Sequence, residues 1–302
     1  MKIHPLNYTT RYCFYQAQAA SGAAGFTLKL TRRWRIICKR TMDNQDLEDL
    51  TERTAELIVN SAKVVFFTGA GISTESGIPD FRSPGGIWER LDPADFTYQK
   101  FVSHRESRRK HWQLLWGGRM AQDAKPNPAH FAIAELDRLG KLDCVITQNI
   151  DNLHRQAGVP ADKVLELHGN MQSVSCLKCG RHYSMMQIKA RLDSGEEIPE
   201  CETCGGILKP DIVMFGEALP EAVLREATAR SRECDLLIVI GSTLAVYPAA
   251  YLPAYAVEAG AGLVIINLSP TPVDREAVVL LRAKAGETMS AITEKVMEKV
   301  GS

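Results

Sequence analysis

The 302-residue chain is 45% hydrophobic and 24% charged, with 22 glycines and 14 prolines, a composition that excludes wholesale disorder, a fibrous protein and a peptide-sized scaffold. Its 36 basic and 36 acidic residues cancel, yet eight of the basic ones fall in an acid-free stretch over 1–42, leaving 28 basic against 36 acidic residues over 43–302, a net charge of −8. An acidic body gives no support to nucleic-acid binding, which draws on a basic surface.

Residues 1–42 carry Arg11, Lys29, Arg32, Arg33, Arg35, Lys39 and Arg40 without a clear amphipathic period. Met42 reads as a natural start, with Asp43 or Asn44 able to cap the helix that follows. The stretch is either a dispensable or mis-assigned extension or an Arg-rich targeting segment, and in neither case part of the fold. Next, Leu47, Leu50, Leu57 and Ile58 recur at helical spacing, and Lys63–Phe67 has the pattern of a buried strand that stops at Thr68-Gly69. Apolar runs at 144–146, 236–240 and 263–266 are each followed by polar or small residues, and helical patterns lie between them. Strands apolar on both faces that alternate with helices predict an α/β fold. The expected architecture is a Rossmann-like parallel sheet with helices on both faces and ligands beyond the strand carboxyl ends. The uncharged run Leu236–Val257 is long enough to cross a bilayer, but Gly241, Ser242, Thr243, Pro248 and Pro253 divide it into strand, turn and helix.

Between about 172 and 209 the alternation breaks, which predicts a small module inserted between a nucleotide-binding part over 43–171 and 210–302. Cys176-x-x-Cys179 and Cys201-x-x-Cys204 lie 21 residues apart, the two-knuckle spacing of a structural zinc ribbon, in which four thiolates complete a tetrahedron. A rubredoxin-type iron site shares that ligand set. A closed set of four leaves no position for a substrate, so the metal is expected to support the fold. Cys13, Cys38, Cys144 and Cys234 have no pairing pattern, and with no export signal a reducing compartment, the cytoplasm, is expected.

Gly69-Ala70-Gly71-Ile72-Ser73 follows the first strand, where glycines let backbone amides approach a pyrophosphate at a helix N-terminus; Thr74 stands where G-x-G-x-x-G has its third glycine. An imidazole that titrates near neutrality suits His168, ahead of Gly169, to take a proton from a hydroxyl. His154 is expected to hold its loop, and His104, His111 and His130 to be structural. Asn149 and Asp151 flank Ile150 on one side of an extended segment and can hydrogen-bond a ligand or cap a helix near Asn152.

Taken in order, these segments resemble the sirtuins, the NAD-dependent protein-lysine deacetylases and deacylases, of bacterial type. The resemblance runs from about Ala55 to Val300. It rests on the glycine segment, Gly77-Ile78-Pro79-Asp80-Phe81-Arg82, Thr147-Gln148-Asn149-Ile150-Asp151-Asn152-Leu153-His154 and Leu167-His168-Gly169. It continues through the cysteine pairs, Lys209-Pro210-Asp211-Ile212-Val213-Met214-Phe215-Gly216-Glu217, Gly241-Ser242-Thr243-Leu244-Ala245-Val246-Tyr247-Pro248 and Ile266-Asn267-Leu268.

The resemblance implies that Gly69, Ala70, Gly71 and Ser73 contact NAD, that Asp80, Phe81 and Arg82 form a mobile cofactor loop, and that Gln148, Asn149 and Asp151 line the nicotinamide pocket. Gly241, Ser242, Thr243, Asn267 and Leu268 would hold adenosine, with Ala285 near its edge; the family more often has Gly-Thr-Ser where this chain has Gly-Ser-Thr. Val213, Phe215, Gly216 and Glu217 on one side and Val246 on the other would clamp an extended acyl-lysine peptide, and His168 would be the general base. Members selective for succinyl or malonyl lysine carry a Tyr-x-x-Arg pair; none occurs around Ser103 to Trp116, so an uncharged acyl group such as acetyl is expected. Protein ADP-ribosylation and a non-catalytic NAD-sensing or zinc-ribbon interaction role stand as the alternatives.

Overall fold

The computed structural model describes residues 47–89, 91–117 and 124–301. The expected N-terminal extension, its helix cap, Cys13 and Cys38 lie outside the described residues. In chain order the elements are α1 (Leu47–Val59), β1 (Val64–Thr68), α2 (Tyr98–Ser103), α3 (Arg105–Gly117), α4 (Pro128–Arg138), β2 (Leu142–Thr147), α5 (Leu153–Gln156) and β3 (Val164–Glu166). They continue with β4 (Gly169–Cys176), β5 (His182–Ser184), α6 (Met185–Asp193), β6 (Leu208–Ile212), α7 (Glu221–Glu233), β7 (Leu236–Ile240), α8 (Leu252–Glu258), β8 (Gly262–Ile266), β9 (Val279–Leu281) and α9 (Ala285–Val300).

Six strands form one sheet in the order β3-β2-β1-β7-β8-β9, every neighbouring pair parallel. This is the dinucleotide-binding order, with its reversal point between β1 and β7. The expected apolar runs are its central strands. Both faces are buried because side chains alternate along each strand. Val64, Phe66, Ile238, Ile240, Val264 and Ile266 pack on α1, α4 and α9, whereas Val65, Phe67, Leu237, Val239, Leu263 and Ile265 pack on α7 and α8. Phe66 and Phe67 are 0% exposed, and burying each contributes about 2–3 kcal/mol. The strands enter in register because the Asp235 carboxylate accepts the amides of Ala62 and Lys63, both at 2.9 Å. The uncharged run over 236–257 resolves into β7, a loop and α8 as expected, and among the described residues no helix is long and apolar enough to cross a membrane.

The second sheet is antiparallel, in the order β5-β4-β6, and runs from Gly169 to Ile212, somewhat wider than the cysteine spacing alone suggests. The extra residues are the strand ends that join it to the large sheet. Its small core gathers Val174, Cys176, Tyr183, Ile188, Ile198, Cys201 and Leu208, and it borrows Trp112 and Leu115 from α3. Ser184 and Gln187 cap α6 reciprocally, which gives this thin core one well-defined helix.

Candidate active site

The site is assembled where β1, β2, β3, β7 and β8 end. At the reversal point two backbones cross almost in contact. The Gly71 amide donates to the Gly241 carbonyl at 2.8 Å, and that of Gly69 to Ile240 at 3.0 Å. A Cβ on Gly71 would lie 2.7 Å from the Gly241 Cα, and one on Gly241, whose φ is +63°, would lie 2.2 Å from the Ile72 nitrogen. These glycines are thus required by the crossing itself. The Gly69 and Gly71 amides donate inside the protein, so the close approach of two backbones is a reason for glycine here that the sequence did not show. The segment after them is a short 3₁₀ turn, Ala70–Ser76, instead of an α-helix.

The loop after β2 carries Gln148, Asn149 and Asp151. The Gln148 amide donates to Thr68 O at 3.0 Å, while its side chain donates to Ser242 Oγ at 2.9 Å, tying the β2 and β7 loops together. The Asn149 side chain donates to Gly69 O and to Ser73 Oγ. Both Asp151 oxygens are engaged: Oδ1 accepts the Leu153 amide and caps α5, and Oδ2 accepts Ser73 Oγ–H at 2.7 Å. Capping and site-facing geometry therefore coexist in one residue. Burial raises the Asp151 carboxyl above its ordinary value, opposed by these donors. Beneath the loop, Thr147 Oγ1 accepts the Asn149 amide and Thr68 Oγ1–H, and Thr68 in turn contacts His154 Nε2 at 2.9 Å. His154 thus braces the loop, as expected from its place in the sequence.

His168 lies between β3 and β4. Its Nδ1–H donates to the Gln148 carbonyl at 2.8 Å, which leaves Nε2 as the lone-pair nitrogen. Burial lowers its pKa below the ordinary imidazole value, the hydrogen bond to Gln148 opposing. At neutral pH the ring is therefore a neutral acceptor. Gly169 follows at φ +69°, and a Cβ there would lie 2.0 Å from Asp211 O, so this turn admits only glycine.

Two cavities meet at this imidazole. The larger, about 480 Å³, is lined by Gly69, Ala70, Gly71, Asp80, Phe81, Arg82, Gln148, Asn149, His168, Gly241, Ser242, Thr243, Val246, Asn267, Leu268 and Ala285. The smaller, about 270 Å³, is lined by Ser73, Asp151, Val213, Phe215, Gly216 and Glu217, and it shares Ala70, Phe81, Arg82, Gln148, Asn149, His168 and Val246 with the first. Every residue singled out for nucleotide or peptide contact thus lies on one cavity or both. Neither 213–217 nor 244–247 belongs to a strand; each is a loop edge at the cavity mouth, with Phe215 42% and Tyr247 45% exposed.

Sequence reasoning missed several lining groups. Trp88 joins the 80–82 loop to the 213–217 edge, its ring 5.3 Å from Phe81 and 5.6 Å from Phe215. Ile78, Ile87, Leu114, Leu115, Ile150 and Met171 make the smaller cavity apolar, and His111, its ring tilted at 52° to that of Phe96 with centroids 4.7 Å apart, closes one wall. Ile78 and Ile150 lie within motif segments but were given no lining role; the others carry no motif, and only tertiary packing collects them. Glu75 also went unread: it lines the larger cavity and accepts the Gly286 amide at the start of α9 at 2.9 Å, so a fixed carboxylate occupies that helix terminus.

The sulfur atoms of Cys176, Cys179, Cys201 and Cys204 all lie within 4.8 Å of one another, Cys176 and Cys204 at 3.6 Å and Cys179 and Cys201 at 3.6 Å. That is far beyond a disulfide and close to the edge, about 3.8 Å, of a tetrahedron with metal–sulfur bonds of about 2.3 Å. The donor set fits one tetrahedral metal ion. Tyr183 Oη lies 3.2 Å from Cys201 Sγ, placed to steady that ligand. His182 contacts Ser175 instead and is not among the four.

The Sir2 family model matches residues 69–248, more than half of the chain. NAD-dependent protein deacylase 2 of Archaeoglobus fulgidus is 43% identical over 251 residues, covering 83% of this chain and 97% of that protein. NAD-dependent protein deacetylase 1 of Bradyrhizobium diazoefficiens is 45% identical over 249 residues, covering 81% and 95%. A solved Sir2 complex with p53 peptide and NAD+ superposes with a TM-score of 0.72 at 40% identity, covering 82% of this chain and 98% of that one. The chain belongs to the Sir2 family, the sirtuins.

Proposed function

We propose that this protein removes acyl groups from lysine side chains of protein substrates, consuming NAD as co-substrate. The observation that carries the reading is the placement of the His168 ring, neutral and with Nε2 unencumbered, at the junction of a large polar-edged cavity and a small apolar one. NAD occupies the larger cavity: adenosine lies toward Ser242, Thr243, Asn267, Leu268 and Ala285, and nicotinamide toward Asn149 and Asp151. Arg82, exposed at the mouth of both cavities, faces phosphate, and Phe81 shields the reacting ribose carbon from water.

The acyl-lysine enters the smaller cavity between the edges at Val213, Phe215, Gly216 and Glu217 and at Val246. Its acyl oxygen displaces nicotinamide from the ribose; no hydride moves. His168 Nε2 then takes the proton of a ribose hydroxyl, which attacks the acyl carbon; the C–N bond breaks, the lysine amine leaves with a proton, and one water adds to the bridged acyl carbon to give O-acyl-ADP-ribose. The apolar lining by Ile78, Ile87, Leu114 and Leu115 favours an uncharged acyl group, since a distal carboxylate would lose its hydration there. The four cysteines hold one structural zinc ion, which would tie the two knuckles together while all its positions are filled by thiolates. Keeping those thiols reduced suits a cytoplasmic protein, and the acidic body makes nucleic acid an unsuitable partner.

Incubation with an acetyl-lysine peptide and NAD tests this reading. Nicotinamide, deacetylated peptide and O-acetyl-ADP-ribose in equal amounts are expected. ADP-ribose attached to protein would replace it with the transferase reading, and NAD binding without turnover with the sensor reading.

A further inference from the structure

The edge at 213–217 is a loop with almost no regular pairing, yet a peptide clamp needs a fixed backbone. Its fixation comes from a buried ion pair outside the expected catalytic set. Lys209, in β6 and 7% exposed, sends its ammonium to three acceptors: Glu217 at 3.1 Å, Ile212 O at 2.7 Å and Pro210 O at 3.2 Å. These match its three N–H donors. The other Glu217 oxygen accepts the Met214 amide at 2.9 Å, and the Glu217 amide donates back to Met214 O at 3.0 Å. Lys209 therefore ties the end of β6 at Ile212 to Glu217, the last residue of the turn, while Glu217 itself closes the turn onto Met214. From the far side, the Tyr98 amide donates to Phe215 O at 2.9 Å, and at the near end the Val213 amide donates to the carbonyl of His168 at 2.8 Å.

We infer that the Lys209–Glu217 pair is the positioning device that holds the peptide-binding edge in register with His168, and that the Glu217 carboxylate works inward on the loop instead of on the substrate. The inference rests on the deacylase reading above. Both Glu217 oxygens are engaged within the protein, so its place on the cavity wall is that of a support. A peptide that pairs with the edge along several residues feels the pair, whereas a lone acyl-lysine that only fills the apolar cavity does not.

The test compares two substrates, an acetyl-lysine peptide and a capped single acetyl-lysine, in wild type, Lys209→Met, Glu217→Gln and the double variant. In Lys209→Met, kcat/KM for the peptide is expected to fall about tenfold through KM, and turnover of the capped residue to stay within about twofold. The double variant, which removes the hold without leaving a charge unpaired, is expected to keep the raised peptide KM. Equal losses on both substrates, or a double variant that regains the wild-type peptide KM, would overturn the inference. If Lys209→Met does not fold by circular dichroism, Lys209→Gln, which keeps a donor for Ile212 O and removes the charge, takes its place with the same two outcomes. A wild type that releases no nicotinamide with either substrate defeats the deacylase reading itself, which separates that failure from this one.

Discussion

The large parallel sheet and the small antiparallel one are held together by different physics. The first buries two complete faces: Val65 and Phe67 pack on α7 and α8 while Val64 and Phe66 pack on α1, α4 and α9. The second has a few apolar side chains around Tyr183 and Leu208, and it leans on Trp112 and Leu115 of α3 and on four clustered thiols. A sheet buried on both sides can lose a methyl group and stand, whereas a thin module whose core includes four thiols proposed to hold a metal ion is expected to fail without that ion.

The largest expected effect follows from that contrast. Cys201→Ser, or stripping wild type with a chelator, is expected to abolish the one equivalent of zinc and melt the module. Exposure of Trp112 then shifts its emission to the red, and deacylation drops roughly a hundredfold or more because Leu115 and Met171 line the smaller cavity, proposed to take the acyl group. The parallel sheet keeps its far-UV signal. Unchanged emission and activity without metal would erase the distinction between the two halves, and iron in place of zinc in metal analysis would revise the ion.

Phe66→Ala in β1 is next, with a loss of about 4 kcal/mol in urea unfolding that chelator does not enlarge. A loss below about 1 kcal/mol would mean that the site collapses without leaving a cavity.

Acid should act on the same half. His130, fully buried on α4, has its pKa lowered to about 4 by desolvation, against an ordinary 6.5. Between those values the unfolded chain binds a proton that the folded chain refuses. Its contribution is complete above pH 6.5 and is lost as pH falls to about 4, amounting to about 3 kcal/mol. Unfolding free energy measured across that window is expected to decline; a flat profile contradicts the burial argument. Glu75→Ala, which removes the carboxylate from the start of α9, should cost about 1 kcal/mol. A neutral result in thermal unfolding would show that water replaces it.

How far the sequence can be read divides along the same line. The central strands were legible because double-sided burial writes unbroken apolar runs such as Leu236–Ile240, and the module because metal ligation demands two cysteine pairs at fixed spacing. Short edge strands such as β3 and β9, three residues each, leave no such trace. In the site, His168, Asn149 and Asp151 stood in recognisable segments. The packing reason for Gly71 was not legible, since only the fold shows that its neighbour is the backbone of Gly241. Trp88, Leu114 and Leu115 reach the apolar cavity from a loop and from α3 through packing alone, and Lys209 acquires its role only when β6 brings it against Glu217.

The central claim is that one neutral imidazole stands between bound NAD and an acyl-lysine. Nicotinamide and free lysine released by wild type and by His168→Ala, each checked for fold and metal content, test it most directly. The account predicts equal amounts of the two products from wild type and a loss of about a thousandfold in the intact variant. Undiminished turnover by that variant, or lysine freed without nicotinamide, would contradict it.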